Sequence, residues 1–298
     1  MTLDIMMPFY GRFDHFQAAV NSVLAQTDPD WHLTIVDDVY PDLAPGEWAQ
    51  SLGDERITYI RNEVNLRPSR NYRKCVTLMS GEFSVILGCD DVLLPNYVRR
   101  VGELIRQFPD ASIIQPGVAV IDENGERSYP LADRVKSWYR LPVKGAGVWS
   151  GERLATSLLR GNWTYFPSLV WRVEALRKHE FRLDLDVVQD LAMLLEIIKD
   201  GGSLVLDDEE CFTYRRHSSS VSAVTGPDGS KFKQERTLFA EAARDLRSMG
   251  WSKASHAAQN HWTSRANALS EIPAAIKAGN HDGRRALVEH VFARTTGR

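Results

Sequence analysis

From Leu3 to Val120 the chain alternates apolar clusters of strand length with segments whose apolar residues recur at helical spacing, and this alternation constrains the fold more than any other feature. Leu3 to Met7 reads as a first strand. Asp14 is the expected cap of a helix whose Phe16, Val20, Val23 and Leu24 form one stripe, with Asp28-Pro29 ending it. Leu33 to Val36 and Ile57 to Ile60 read as strands, Ser69 to Met79 as a helix and Phe83 to Leu87 as a buried strand. A helix then runs from Pro95 to about Phe108, and Ala111 to Val120 is extended. Repeated strand-helix-strand units predict an α/β protein with a mainly parallel sheet covered on both faces. After the turn signal Asp122-Glu-Asn-Gly125 the alternation stops, and Ser128 to Val148 reads as irregular. The second half is therefore expected to add antiparallel strands and loops to the first sheet. Asp190 to Asp200 is an apolar helix closed by Gly201-Gly202, followed by short strands at Leu204 to Leu206 and Phe212 to Tyr214. Ser218 to Ser230 reads as a loop or linker, and the text from Phe232 onward is helical.

Composition removes several classes of function. The 298 residues carry 36 Lys plus Arg against 39 Asp plus Glu, a formal net charge of −3, which gives no concentrated positive charge for a nucleic acid. Three scattered cysteines, Cys75, Cys89 and Cys211, make neither a disulfide framework nor a zinc site. No apolar stretch approaches the roughly 20 residues of a membrane span, and no basic-then-apolar leader opens the sequence. The expectation is a cytoplasmic protein.

Chemistry concentrates where predicted strands end. Asp90-Asp91 closes the strand through Leu87, and two carboxylates at the carboxyl end of a sheet suit a divalent cation, Mn²⁺ or Mg²⁺; the alternative is that Asp91 only caps the next helix. Asp37-Asp38 closes another strand, where carboxylates accept hydrogen bonds from a base or ribose, or merely line a solvated turn. Asp190 opens a helix, as a general base for a hydroxyl or as a plain N-cap. Tyr214-Arg215-Arg216-His217 ends a strand with cations suited to a diphosphate or a metal, and Arg67 and Arg70 open a helix.

Taken in order, these pieces resemble the family 2 glycosyltransferases. The carriers are Asp4-Ile-Met-Met-Pro8-Phe9-Tyr10, Ser22-Val-Leu-Ala-Gln26-Thr27, Val36-Asp37-Asp38, Asn65 to Asn71 with its Arg70-Asn71 core, Gly81-Glu82-Phe83 and Asp90-Asp91-Val-Leu-Leu-Pro95. Further on come Pro167-Ser168 with Trp171-Arg172, Gln189-Asp190, and Tyr214-Arg-Arg-His217 with Ser220 and Ser222. The resemblance implies the GT-A fold: a Rossmann-like, mixed and mainly parallel sheet flanked by helices, here with a C-terminal helical extension. It covers residues 1–222, with a nucleotide-sugar half to about residue 120 and an acceptor half beyond it; residues 223–298 form a linker and a helical region.

That resemblance implies an inverting transferase that moves a sugar from a nucleoside-diphosphate sugar to a saccharide, lipid-linked or glycoside acceptor, in surface polysaccharide, glycolipid or glycoside synthesis. Pro8, Phe9, Tyr10, Arg12, Asp38, Arg70, Asp90 and Arg215 are then the nucleotide-binding residues. Asp90 and His217 are the metal ligands, Asp190 is the catalytic base, and Asp91, Pro167, Ser168 and Gln189 face acceptor and sugar. Two positions depart from the family pattern: Gly88 stands where the first Asp of a D-x-D motif is usual, and Gln189 replaces a Glu. Gly88 and the helical tail motivate a competing reading, a catalytically silent sugar-nucleotide-binding or scaffolding protein. A nucleotidyltransferase is a third, disfavoured by the absence of a Gly-rich, Lys-containing phosphate loop. The tail's apolar stripe (Phe232, Leu238, Phe239, Ala242, Leu246) with Trp251 and Trp262 fits docking on the core, a homodimer, or a partner or the inner membrane face.

Overall fold

The computed structural model describes residues 2–217 and 228–293. In chain order its first half runs β1 (Leu3–Phe9), α1 (Phe13–Leu24), β2 (Trp31–Asp37), α2 (Ala44–Ser51), β3 (Ile57–Arg61), α3 (Arg67–Leu78), β4 (Phe83–Ile86), β5 (Val92–Leu93), α4 (Tyr97–Gln107) and β6 (Ile113–Ile121). There follow α5 (Leu131–Tyr139), β7 (Ala146–Ser150), α6 (Gly151–Gly161), a 3-10 turn (Phe166–Ser168), β8 (Val170–Arg172), α7 (Val173–His179), α8 (Gln189–Lys199) and β9 (Ser203–Arg215). Four helices close the described chain: α9 (Ser230–Ser248), α10 (Ser252–Asn260), α11 (Trp262–Lys277) and α12 (His281–Phe292).

All the strands join one sheet in the order β3-β2-β1-β4-β8-β6-β9-β5, with β7 on β9. The first units pair in parallel, β3 on β2, β2 on β1 and β1 on β4, as the alternation predicts. The expected antiparallel additions are there too: β8 lies antiparallel between β4 and β6, and β5 and β7 lie antiparallel to β9. β9 itself is parallel to β6, with a bulge where Gly117 faces Glu209 and Glu210; a Cβ at Gly117 would lie 2.5 Å from the Glu209 carbonyl oxygen, so only glycine fits.

Period-two alternation fills both faces. Leu3, Ile5, Met7 and Phe9 of β1, with Phe83 and Val85 of β4, pack toward α1, α2 and α4, while Met6 and Ile86 point to the opposite face. That second face holds the larger core, built from α3, α6, α7 and α8 around Trp163 and Trp171. It also takes in the tail: Leu238, Phe239, Ala242, Ala243 and Leu246 of α9 join Leu191, Leu194, Leu195 and Ile198 of α8. Alanines 254, 257 and 258 let α10 approach α6, whose Glu152 accepts hydrogen bonds from the first-turn N–H groups of Lys253 (2.6 Å) and Ala254 (3.3 Å). Phe232, Ala268, Ala275 and Leu287 hold α9, α11 and α12 in a small cluster of their own.

Three expectations need correction. Asp14 does not cap α1; Arg12 occupies that position and Asp14 pairs with its guanidinium at 3.0 Å. The stretch read as irregular contains α5 and β7. The two short strands near the end are one strand, β9, because the acidic run Asp207 to Glu210 is paired rather than turned out: Arg100 Nη2 meets Asp207 at 2.7 Å, Arg99 meets Glu209 at 3.3 Å and Arg127 meets Glu210 at 2.5 Å. The loop read at Ser218 to Ser230 lies outside the described residues up to residue 227, as do Ser220 and Ser222.

If α9 belongs to the main core, Phe239→Ala should cost what a core aromatic costs, about 3–5 kcal/mol. Urea unfolding followed by tryptophan fluorescence should show this as an earlier midpoint of a single transition. A variant as stable as the parent would mean that α9 does not carry the core.

Candidate active site

The end of β2 supplies two buried carboxylates with different duties. Asp37 Oδ2 accepts from Tyr59 Oη and from Arg61 Nη1, both at 2.5 Å, and Asp37 Oδ1 accepts from the Tyr40 N–H at 2.8 Å. Burial first, then the bond to Asp37, pushes the Tyr59 hydroxyl up to about 12. Asp38 accepts from Asn62 Nδ2 (2.7 Å) and from the N–H groups of Leu66 (2.7 Å) and Arg67 (2.8 Å), so it holds the entrance of α3, where Arg67 takes a left-handed φ of 65°. Asp38 therefore spends its oxygens inside the protein, fixing the rim of the cleft.

The end of β4 meets the end of β9. Asp91 is buried, and its Oδ1 accepts from the Arg215 N–H at 2.8 Å. The Arg215 guanidinium spans the carbonyl oxygens of Asp90 (2.7 Å), Asp122 (3.3 Å) and Glu123 (3.2 Å). Next along the chain His217 Nε2 lies 2.6 Å from Asp90 Oδ2, and the His217 ring meets the edge of buried His15 at 5.5 Å. Asp91 Oδ2 has no hydrogen-bond partner among the described residues. Burial, reinforced by neighbouring Asp90, holds the Asp91 carboxyl well above the usual carboxylate range.

Gly88 explains where that oxygen points. A Cβ on Gly88 would lie 2.4 Å from Asp91 Oδ2 and 2.9 Å from Asp90 Oδ1, so both carboxylates crowd the notch that a side chain would fill. Among the described residues no three His, Cys, Asp or Glu side chains enclose a metal ion. Asp90 and His217, with the unsatisfied Asp91 oxygen behind them, fit instead an ion held partly by the protein and partly by a bound ligand, the habit of Mg²⁺ and Mn²⁺ with phosphates.

Asp190 sits in the first turn of α8, half-buried, and its Oδ1 has no partner among the described residues. Burial raises its pKa, while the Leu191 N–H, the Lys136 ammonium and the Asn162 amide favour the ionised form. Asn162 reaches this position because α6 ends there in a left-handed turn, with φ 35°. Asp90 and Asp190 both act on the Tyr72 hydroxyl, which is raised by its burial first, then by Cys75 and Cys89, and then by these two acids.

The remaining expected residues separate into three groups. Pro8 and Tyr10 stand at the mouth with β1, Tyr10 being 55% exposed and edge-on to Tyr40, and Arg12 and Arg70 are exposed on the rim. Phe9 and Ser168 are fully buried; the Phe9 ring packs on Phe16 at 4.2 Å and the Ser168 hydroxyl donates to the Tyr165 carbonyl oxygen, so neither side chain faces the cleft. Pro167 shapes the 3-10 turn. Gln189 accepts from Ser69 Oγ at 2.6 Å, which fastens the start of α8 to the start of α3.

Three residues were missed, and the partner of a fourth. Asp133 and Lys136 lie on α5, whose Leu131, Val135 and Trp138 recur at helical spacing but were read as irregular, and Asn162 lacked a reason to be singled out; Arg216 was read only as one cation of the Tyr214 to His217 run. Arg216 donates to both Asp133 oxygens, at 2.9 and 2.7 Å, and Tyr165 Oη donates to Asp133 at 2.9 Å. The spacing of Asp133 and Lys136, three apart and so on one helix face, is a further signal that was available.

The model of the family described as "Glycosyl transferase family 2" matches residues 4–156. The chain is similar to an uncharacterized glycosyltransferase of Methanocaldococcus jannaschii, 27% identical over 126 residues, 41% of this chain and 43% of that one. It is also similar to an Escherichia coli protein provisionally named as a colanic acid biosynthesis glycosyl transferase, 32% identical over 95 residues, 32% of this chain and 34% of that one. The chain thus spans under half the length of these curated relatives. Among solved structures, S. aureus TarS with UDP-GlcNAc superposes with a TM-score of 0.67 at 13% identity, covering 98% of this chain and 89% of that one. A Pyrobaculum calidifontis mannosyltransferase with GDP-Man and Mn²⁺ gives 0.62 at 15% identity, covering 96% and 78%. These likenesses show a shared fold, the GT-A arrangement that the motifs imply.

The Gly88 notch generates a direct test. Gly88→Ala forces a methyl group against Asp91, which is buried and tethered to Arg215, and should cost about 1–3 kcal/mol of stability in urea unfolding. An unchanged midpoint would mean that the notch is roomier than the geometry says.

Proposed function

The chain belongs to glycosyl transferase family 2, and on that premise we propose that it transfers a sugar, with inversion, from a nucleoside-diphosphate sugar to an acceptor hydroxyl. The observation that carries this reading is the half-buried Asp190 carboxylate in the first turn of α8, with one oxygen unpartnered among the described residues and acting, like Asp90, on the Tyr72 hydroxyl. An acid that burial penalises and whose partners compensate only in part costs stability, and proton transfer is the use that fits it.

In this reading the acceptor O–H gives its proton to Asp190 as its oxygen bonds to the anomeric carbon. The bond from that carbon to the diphosphate oxygen breaks on the opposite face, and the nucleoside diphosphate leaves. Tyr10 and the rim fixed by Asp38 receive the nucleoside, while Arg12 and Arg70 stand exposed beside it. Arg215 holds the Asp90 loop and adds positive charge where the leaving group forms. Asp90 and His217 would hold a divalent cation, which supplies Lewis-acid stabilisation of the departing diphosphate when bound. The neighbours crystallised with UDP-GlcNAc and with GDP-Man and Mn²⁺ support a nucleotide-sugar donor without choosing the base. The Escherichia coli relative, named for colanic acid biosynthesis, supports a polysaccharide as the product class. Among the described residues no helix is long and apolar enough to cross a membrane.

Calorimetric titration of UDP and of GDP, each with Mn²⁺ and again with a chelator, should show one of them binding tightly and losing most of that affinity when the metal is removed. No binding of either would turn the weight to a silent member of the family.

Asp190→Asn separates base from binder. Release of nucleoside diphosphate in the presence of acceptor should fall by about 10²–10⁴, the usual worth of a positioned base, with nucleotide affinity kept. Burial lifts the folded-state pKa of Asp190 above its unfolded value, so its favourable contribution is present at acid pH and is lost as pH rises through the folded pKa. At neutral pH the Asn variant should therefore melt higher than the parent, and the two should converge on acidification. For the same reason the parent's transfer rate should fall with decreasing pH through an acid limb above the ordinary carboxylate range. Full activity of the variant would remove Asp190 from the mechanism.

A further inference from the structure

The cleft holds cations that the transfer chemistry does not use. On α5, Asp133 and Lys136 share a face, but Asp133 is consumed by Arg216 and Tyr165. Arg216 is thereby neutralised and Lys136 is not: no carboxylate lies within 4 Å of its ammonium among the described residues, and the ammonium sits 5.2 Å from the centre of the Tyr165 ring. Lys136 is half-buried, and burial first, then the charge of Arg216, brings it down to about 8. A second lysine comes from the C-terminal helices. Lys231, in the first turn of α9, acts electrostatically on Lys136, and its one ion pair among the described residues is a long 3.9 Å contact with Glu235. The other Glu235 oxygen accepts from Ser264, and burial raises the Glu235 carboxyl toward its neutral form.

Lys136 thus acts on the proposed base and Lys231 acts on Lys136 from a different element, and among the described residues neither ammonium is hydrogen-bonded to a carboxylate. Among the described residues no close pairing takes up either charge, and a half-buried cation without a close counterion is costly unless a ligand supplies one. Resting on the transferase reading above, we infer that the acceptor carries an anionic group, phosphoryl or carboxyl, beside the hydroxyl that is glycosylated, and that Lys136 together with Lys231 binds it. Lys136 contributes the seat on the acceptor half, and Lys231 brings α9 into acceptor recognition as well as into the core. Arg216, fixed by Asp133, sets the field without taking the anion itself.

The test uses the full chain saturated with whichever nucleoside diphosphate it binds, with Mn²⁺, titrated with glycerol phosphate, methyl glucuronide and neutral methyl glucoside. One anionic probe should bind at least about tenfold more tightly than the glucoside, and which one does so identifies the phosphoryl or the carboxyl group. Lys136→Gln should remove that preference, Lys231→Gln should weaken it severalfold, and Lys136→Arg should restore part of it, with nucleotide affinity unchanged throughout. Equal binding of neutral and anionic probes would overturn the inference, as would an anion preference that survives Lys136→Gln, or a loss of nucleotide affinity in its place. Nucleotide binding in the parent separates the two levels of the argument. If it fails, the transferase reading falls and takes this inference with it; if it holds while the probes do not discriminate, this inference alone falls.

Discussion

Asp91 joins the two halves of the molecule. Its carboxylate accepts the main-chain N–H of Arg215, so the end of β4, from the parallel half, is tied to the end of β9, from the mixed half. The tie is buried, where a hydrogen bond to a carboxyl group is strong and its loss expensive. From it the rest of the site takes its position: the Arg215 guanidinium gathers the Asp90, Asp122 and Glu123 carbonyl oxygens, and His217 is carried to Asp90. Gly88 belongs to the same arrangement, because a side chain there would push Asp91 and Asp90 out of place. The departure from the family's D-x-D pattern is thus accommodated by packing two carboxylates into the space that the first Asp would have occupied.

Most of the first half was legible because its helices and strands bury continuous apolar stripes, and periodicity reads burial. The strands through Met7, Val36, Ile60 and Leu87 fall at or within a few residues of their observed ends for that reason. Legibility failed where charge rather than apolar surface holds an element. In α5 the large apolar residues Leu131 and Trp138 are exposed, at 70% and 72%, and the anchors are Asp133 on Arg216 and Tyr165. In β9 the run Asp207 to Glu210 reads as a turn until Arg100, Arg99 and Arg127, distant in sequence, are seen to pair with it. The site divides in the same way. Asp90, Asp190, Arg215 and His217 were readable as motif positions, whereas the duty of Asp38 as anchor of the α3 entrance and the presence of Lys136 beside Asp190 depend on which helix ends meet.

Stability and activity pull against each other at Asp190. Elsewhere in the cleft the fold pairs several of its charges closely, as with Asp37 on Arg61 at 2.5 Å and Asp133 on Arg216 at 2.7 Å. At Asp190 it leaves an oxygen without a partner and surrounds it with groups that favour ionisation only in part. On the proposed reading, the reaction is what retains so costly a position. The C-terminal helices support the same place from behind: α9 closes the core against α8, whose first turn carries Asp190.

The central claim is that Asp90 and His217 mark the diphosphate and Asp190 the acceptor within one cleft. An anomalous-scattering map from crystals grown with Mn²⁺ and the nucleoside diphosphate that binds tests it most directly. The account predicts manganese on Asp90, the diphosphate beside it with Arg215 behind, and Asp190 facing the open side of the cleft. Manganese or nucleotide found away from Asp90, with His217 still hydrogen-bonded to it, would contradict the account.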